Sequence, residues 1–204
     1  LEDLKHIRVP MVAAGYNLYH INVHHCINVD LAGAVRIALG YLRSLGHRSI
    51  GFAAMEISEF DLRLNTFRQE MAGNPDQDFL VFGPGFHDSQ DLERFHETNY
   101  YERGILAARQ YLAGGRKASA ILCFNDDTAM GLLCHLQSAG VRVPEDLSVV
   151  GIDDHFSSAY SSPPLTTVSI HPVLHGRECA RALIDLIEGR EPSGLDRIPV
   201  ELVV

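Results

Sequence analysis

The apolar run at residues 147–152, LSVVGI, is the segment that most narrows what this chain can fold into. It shows no alternation of apolar and polar side chains, which is typical of a parallel strand buried on both faces. The run ends at two carboxylates, Asp153 and Asp154. Because ligands of open α/β sheets bind beyond the carboxyl ends of the strands, the segment predicts both an architecture and a position for a binding site.

Segments typical of strands and of amphipathic helices alternate along the chain. Strands are predicted over residues 9–14, 25–29, 49–54, 79–82, 120–124, 147–152, 165–169 and 199–204. A first helix is predicted between Asp30 and Gly46, with Val35, Leu39, Leu42 and Leu45 on one face. Further helices are predicted over residues 61–71, 99–112 and 172–188. Another helix is predicted to follow the strand at 120–124 and to end at residue 139. This alternation predicts an α/β fold in which a parallel sheet carries helices on both faces.

Charge and hydropathy argue against two classes of partner. The 204 residues carry a formal net charge of −9, whereas a chain that grips nucleic acid itself needs a basic face. No apolar run approaches the roughly 20 residues that span a bilayer, and no secretion signal opens the chain. We therefore expect no membrane contact and a cytoplasmic protein, whose start, LEDLKHIRVP, suggests that an upstream part precedes it.

The four cysteines fit a reducing compartment, because they are far apart and form no Cys-x-x-Cys pair. They are Cys26, Cys123, Cys134 and Cys179. Cys123 and Cys134 lie within apolar segments and are predicted to be small buried side chains.

Polar side chains follow three of the predicted strands. Asn125 follows the strand at 120–124, Asp153 follows the strand at 147–152, and the loop after residue 54 leads to Arg63. If these strands are parallel neighbours, their polar ends meet at one edge of the sheet. Amide, carboxylate and guanidinium groups together suit a polyhydroxylated ligand, since each hydroxyl both donates and accepts. Aromatic rings that could stack on a sugar are those of Phe60, Phe86, Tyr100 and Phe156.

Each of these side chains also has an alternative interpretation that needs no ligand. Asp126 is predicted to cap the following helix, and for Asn125 capping and ligand contact are about equally favoured. On spacing alone, Asp153 and Asp154 are better explained as solvated turn residues. Arg63 on a helix is more often a surface ion-pair residue.

A cluster of His20, His24, His25 and Cys26 has the ligand types of a zinc site, but it lacks a second ligand pair with familiar spacing. A polar loop that enters a strand is the favoured interpretation, so no metal site is predicted. His47 is predicted to be structural. The chain contains no Gly-x-Ser-x-Gly elbow, Walker loop or Gly-x-Gly-x-x-Gly fingerprint, so neither catalytic residues nor a cofactor are predicted.

Several motifs together resemble the LacI/GalR family of bacterial transcription regulators. They are LRSLGHRSIGF at residues 42–52, RLNTF at 63–67, AILCFNDDTAMGLL at 120–133, AGVRVPEDLSVVGIDD at 139–154, SPPLTTV at 162–168 and IPVELVV at 198–204. Their order and spacing agree with the family over nearly the whole chain.

The resemblance implies a periplasmic-binding-protein-like fold of type I with two α/β lobes, of which this chain holds mostly the second. Residues 1–28 would be a remnant of the first lobe, 29–168 the second lobe, 169–194 a return segment to the first, and 195–204 the final strand of the second.

The resemblance also implies which residues contact the effector. Arg63, Asn125 and Asp153 match the family's Arg-Leu-x-Gly-Phe, Asn-Asp and Gly-x-Asp-Asp motifs. Phe86 is the predicted stacking aromatic, although the loop at 83–99 is longer than usual. Thr66 departs from the family pattern, because glycine is usual at its position.

By resemblance, the chain would be the effector-binding and dimerisation part of a regulator that senses a small molecule held between the lobes. The expected effector is a sugar. Operator DNA would be bound through an N-terminal helix-turn-helix that this chain lacks, and paired heads would require a homodimer. A periplasmic sugar-binding receptor of a transport system is the alternative. An enzyme is not expected.

Overall fold

Four parallel strands form the larger sheet. The computed structural model describes residues 9–15, 23–54, 61–73, 78–82 and 99–204. The strands are β3 (Ser49–Ala53), β4 (Asp78–Phe82), β5 (Ala120–Cys123) and β6 (Ser148–Val150). They lie in the order β4–β3–β5–β6, and all pairs are parallel. The predicted parallel sheet is therefore confirmed, although the apolar run at 147–152 contributes only its centre to β6.

Helices cover both faces of this sheet, as predicted. They are α1 (Leu31–Ser44), α2 (Leu62–Ala72), α3 (Tyr100–Ala113) and α4 (Asp126–Ser138). Ile121 and Cys123 of β5 share a core with residues of α3 and α4, such as Ala107 and Leu132. Ala53 of β3 belongs to the same core. The preceding residue, Phe52, packs instead against Phe67 of α2, with ring centroids 5.1 Å apart. The alternating side chains of the strands thus serve two separate helical layers.

Helices α3 and α4 approach until their backbones touch. A Cβ atom added at Gly131 would lie 1.9 Å from the carbonyl oxygen of Tyr101, and one at Gly104 would lie 2.0 Å from that of Thr128. Such distances exclude any side chain at these two positions. The pair of glycines therefore fixes how closely the two helices pack, and so the position of the loop that opens α4.

The last strands depart from the prediction. The predicted strand at 199–204 is shorter and corresponds to β9 (Glu201–Val203), and the unpredicted short strand β8 (Arg197–Ile198) precedes it. β9 pairs antiparallel with β7 (Thr167–Ser169), so this part of the structure is not parallel. Val150, the last residue of β6, bridges to Thr166 before β7, and Asp153 beyond β6 bridges to Ser169.

A second compact unit contains three parallel strands and one helix. β1 (Val12–Gly15), β2 (His25–Val29) and β8 lie in the order β1–β2–β8. Helix α5 (Pro172–Ile187) packs on them. The core consists of buried apolar side chains, namely Ile27, Val29, Leu31, Ala182 and Ile198. His175 also joins helix to strand, through a 2.9 Å contact between its Nε2 atom and the carbonyl oxygen of Ile27.

The chain divides into one unit of residues 1–31 with 170–200, and another of 32–169 with 201–204. The predicted lobe bounds lie near these divisions, except that residues 195–200 fall in the smaller unit. The assignment of the units to lobes stays a prediction.

Two predicted side-chain environments are wrong. Leu45 lies beyond the end of α1 and is 56% exposed, because the chain leaves the helix before it and Gly46 adopts a positive φ of 91°. Cys134 of α4 is exposed, whereas Cys123 is buried as predicted. Among the described residues, no helix is both long and apolar enough to cross a membrane.

Candidate functional site

Arg63 is buried at the start of α2, because the helix begins at the edge of the sheet where β3 ends. Asp61 caps the helix, and its Oδ1 atom accepts hydrogen bonds from the backbone N–H groups of Arg63 at 2.9 Å and Leu64 at 3.3 Å. The Arg63 side chain is only 8% exposed, and its Nη1 donates to the carbonyl oxygen of Phe124 at 3.0 Å. The interpretation of Arg63 as a surface ion-pair residue is therefore wrong.

An aromatic stack supports this guanidinium. The Cζ atom of Arg63 lies 3.3 Å from the ring centroid of Phe124, which is a close cation–π contact. The ring of Tyr100 also stacks on Phe124, with centroids 5.9 Å apart and planes inclined by 23°. Sequence reasoning named Tyr100 but missed Phe124, which looked like the last core residue of a strand. Its position directly before Asn125 was the only available signal.

Asn125 is the N-cap of α4. Its Oδ1 accepts from the backbone N–H of Thr128 at 2.9 Å and from the Thr128 hydroxyl at 2.7 Å. Among the described residues, no acceptor binds its Nδ2 group. Capping and ligand contact are thus compatible, because they use different atoms of one side chain.

Asp126 does not cap the helix, so that prediction is wrong. Its carboxylate is 1% exposed and accepts from the hydroxyls of Thr167 at 2.5 Å and Ser158 at 2.7 Å, and from the backbone N–H of His155 at 2.8 Å. It lies against Gly151, where a Cβ atom would approach to 2.1 Å. Asp126 therefore fastens the segment after Asp153 to the sheet.

Asp153 lies at the carboxyl end of β6 with an unusual backbone. Its φ of 126° is positive, and its backbone N–H donates to the carbonyl oxygen of Val168 at 2.9 Å. No donor among the described residues reaches its buried Oδ1 atom. Burial raises the pKa of Asp153 to about 7; the positive charge of Arg63 opposes this rise, and the negative charges of Asp126 and Asp127 add to it.

The two aspartates of the motif thus have different environments. Asp153 is partly buried and its carboxyl is under the electrostatic influence of Arg63, so its interpretation as a solvated turn residue is wrong. Asp154 is exposed and also has a positive φ, of 57°, so the turn interpretation holds for it.

Asp61 resembles Asp153 in two respects. Its side chain is 6% exposed, and its buried Oδ2 has no hydrogen-bond donor among the described residues. Burial raises the pKa of Asp61, while Arg63 and the cap hydrogen bonds act in the opposite direction. Sequence reasoning did not consider this residue, because an aspartate before a helix is adequately explained as a cap.

Arg63, Asn125 and Asp153 form what we call the polar rim. They follow the neighbouring strands β3, β5 and β6 of a single sheet, so the predicted meeting of these ends is confirmed. Phe60 and Phe86 lie outside the described residues. Phe156 is 76% exposed and contacts the ring of His155, with centroids 4.9 Å apart.

The histidines have local partners. His24 Nδ1 accepts from the backbone N–H of Met11 at 3.2 Å, and His25 Nε2 lies 3.1 Å from a carboxylate oxygen of Asp196. Among the described residues, no three His, Cys, Asp or Glu side chains are grouped to hold a metal; His20 lies outside them. His47 is structural, as predicted, since its ring bridges the hydroxyls of Ser119 and Ser148 at 2.9 Å each.

The parallel sheets and the helical layers define a domain of the α/β class, with the polar rim at the carboxyl ends of its strands. Comparison with known families assigns it further. The periplasmic binding protein-like domain family matches residues 39–204, and the chain belongs to this family.

The relatives are transcriptional regulators. The chain is 39% identical over 90 residues to the HTH-type transcriptional repressor PurR of Vibrio cholerae, covering 44% of this chain and 27% of PurR. It is 29% identical over 180 residues to the HTH-type transcriptional regulator CelR of Thermobifida fusca, covering 87% of this chain and 48% of CelR. The chain thus spans half or less of these relatives. They confirm the resemblance to LacI-type regulators.

Solved structures of regulators have a similar fold. A CelR–cellobiose complex has a TM-score of 0.71 and 29% identity, covering 96% of this chain and 58% of that one. A LacI family regulator from Arthrobacter sp. FB24 in complex with lactose has a TM-score of 0.77, covering 96% and 68%. Its identity of 22% supports the fold alone.

Proposed function

We propose that this chain is the effector-binding domain of a LacI-type transcriptional regulator and that its effector is a sugar. The observation that carries the proposal is the polar rim, in which Arg63, Asn125 and Asp153 lie at the carboxyl ends of three adjacent strands. The rim contains a buried carboxylate oxygen of Asp153 without a donor among the described residues. A buried acceptor of this kind is costly unless a ligand supplies the donor.

The chemistry of the rim suits hydroxyl groups. A sugar hydroxyl would donate to Oδ1 of Asp153 and accept from Nδ2 of Asn125 or from the guanidinium of Arg63. The stacked rings of Phe124 and Tyr100 hold the guanidinium in one place, so little side-chain entropy is lost on binding. Phe86 stays our proposal for a stacking aromatic.

The regulator function is supported by the relatives, whose names favour it over the periplasmic receptor. An effector would act through different affinities for two states of the full-length protein, one of which binds operator DNA. With a net charge of −9, this chain is an unsuitable DNA-binding surface, so we propose that DNA contacts lie elsewhere in the protein. We further propose a cytoplasmic homodimer without catalytic activity.

A thermal-shift screen of the full-length protein against sugars tests this proposal, because a bound ligand raises the unfolding temperature by mass action. The variant Arg63→Ala should abolish the shift produced by a hit. Arg36→Ala is the matched control, since Arg36 forms an exposed ion pair with Glu70 away from the rim. Equal shifts in both variants would contradict the proposed site.

A further inference from the structure

We propose that Asp61 is a second acidic contact of the effector, so that the site selects neutral or cationic ligands that donate hydrogen bonds and disfavours anionic ones. This inference rests on the proposed function, because it concerns the composition of the same site. It adds a residue that neither the motifs nor the fold assigns.

The two carboxylate oxygens of Asp61 have different environments. Oδ1 accepts two backbone N–H groups at the start of α2. Oδ2 is buried and has no donor among the described residues. Capping a helix needs only one oxygen, which serine, threonine or asparagine supplies equally well without burying a charge. The helix alone therefore does not account for a carboxylate at this position.

Asp153, on which the charge of the same arginine acts, also has a buried oxygen, Oδ1, without a donor among the described residues. The Nε atom of Arg63 lies 4.0 Å from Oδ1 of Asp61, and the charge of Arg63 also acts on Asp153. Two unsatisfied carboxylate oxygens thus lie near one guanidinium, and a ligand with two or more donor groups would satisfy both.

The charged side chains around Asp61 and Asp153 disfavour an anionic ligand. The positive charges of Arg63 and Arg68 act on Asp61. Arg63 and His155 act on Asp153, where the nearby carboxylates of Asp126 and Asp127 add negative potential. The Nη1 group of Arg63 already donates to a backbone carbonyl. A phosphate or carboxylate of the ligand that approached the oxygens of Asp61 and Asp153 would therefore be repelled by these two carboxylates.

The test compares neutral sugars with their anionic counterparts in calorimetric titrations of the full-length protein. The pairs are cellobiose with cellobionate, lactose with lactobionate, and glucose with glucose 6-phosphate. Asp61→Asn keeps the cap oxygen and removes the charge, and Asp61→Ser keeps a capping group and removes Oδ2 altogether. Asp154→Asn is the control, because it removes an exposed carboxylate next to Asp153.

We expect at least one neutral sugar to bind at least tenfold more tightly than its anionic counterpart. Both Asp61 variants should bind that sugar about tenfold or more weakly than the wild type, and should show a smaller difference in affinity between the sugar and its anionic counterpart. Asp154→Asn should change neither the affinity nor this difference. This inference is overturned if the anions bind as tightly as the neutral sugars or more tightly. It is also overturned if both Asp61 variants keep the wild-type affinity while Arg63→Ala still loses binding. Either result leaves the proposed site itself unaffected. Binding that survives Arg63→Ala, or no binding of any of the six compounds, overturns the proposed function as well.

Discussion

Replacing Asp153 by asparagine is expected to stabilise the ligand-free protein, and to do so only above acidic pH. The substitution keeps the size and shape of the side chain and removes the charge. In the folded chain burial raises the pKa of this carboxyl to about 7, compared with 3.8 for an exposed aspartate. The protonated form is therefore favoured by folding, and the ionised form is penalised.

The sign and the size of the effect follow from proton linkage. Between pH 4 and pH 7 the folded state holds a proton on Asp153 that the unfolded state has released, so the free energy of unfolding falls as the pH rises. A difference of one pKa unit corresponds to about 1.4 kcal/mol, so the full penalty approaches about 4 kcal/mol above pH 7. Because Asp153 retains some contact with solvent, we expect about 2–4 kcal/mol.

The assay is urea unfolding of the wild type and of Asp153→Asn at intervals from pH 4 to pH 8. Circular dichroism is the suitable signal, since the chain contains no tryptophan. The difference in unfolding free energy between the two proteins should be small at pH 4, increase towards pH 7 and then level off. Asp154→Asn, which removes an exposed carboxylate, is expected to show only a small difference throughout. A difference for Asp153→Asn that does not change with pH would refute the reasoning.

Three further predictions concern the scaffold. Asp126→Ala should lower the free energy of unfolding by about 3 kcal/mol or more, because buried donors from three residues lose their acceptor. Thermal unfolding measures this loss, and a loss below about 1 kcal/mol would contradict the role assigned to Asp126. Gly131→Ala should cost about 1–3 kcal/mol or more in the same assay by pushing α3 and α4 apart, whereas Gly40→Ala, with open space around its Cβ position, should stabilise by up to about 1 kcal/mol. Burial lowers the pKa of His47, so as the pH falls below about 6.5 the unfolded state takes up a proton before the folded state does, and the free energy of unfolding of the wild type decreases. The variant His47→Gln should lack this decrease when unfolding is measured over a pH series. The same pH dependence in the variant and the wild type would contradict the prediction.

Local patterns predicted most of the fold. The asparagine-to-glutamate spacing at Asn99 and Glu102 forms a complete capping box, and Gly140 adopts the positive φ, of 77°, that a helix end requires. These signals involve residues close in sequence, so they are visible in one chain. The antiparallel pairing of β7 with β9 was not predicted, because it depends on residues more than 30 positions apart.

The site was only partly predictable for the same reason. Arg63, Asn125 and Asp153 follow strand ends, which hydrophobic patterns locate. The partners of Asp126 lie 29 to 41 residues away, so nothing local distinguishes it from a helix cap. The depth at which Asp61 and Phe124 are buried likewise depends on how the sheet and helices assemble.

The most direct test of the central claim is the affinity of the full-length protein for whichever sugar produces the largest thermal shift, measured calorimetrically for the wild type and for Asp153→Asn at pH 8. At this pH the carboxylate is the acceptor, and we expect the substitution to weaken binding about ten- to a hundredfold while making the ligand-free protein more stable. Unchanged affinity in a correctly folded variant would contradict the account, because the polar rim would then not be where the effector binds.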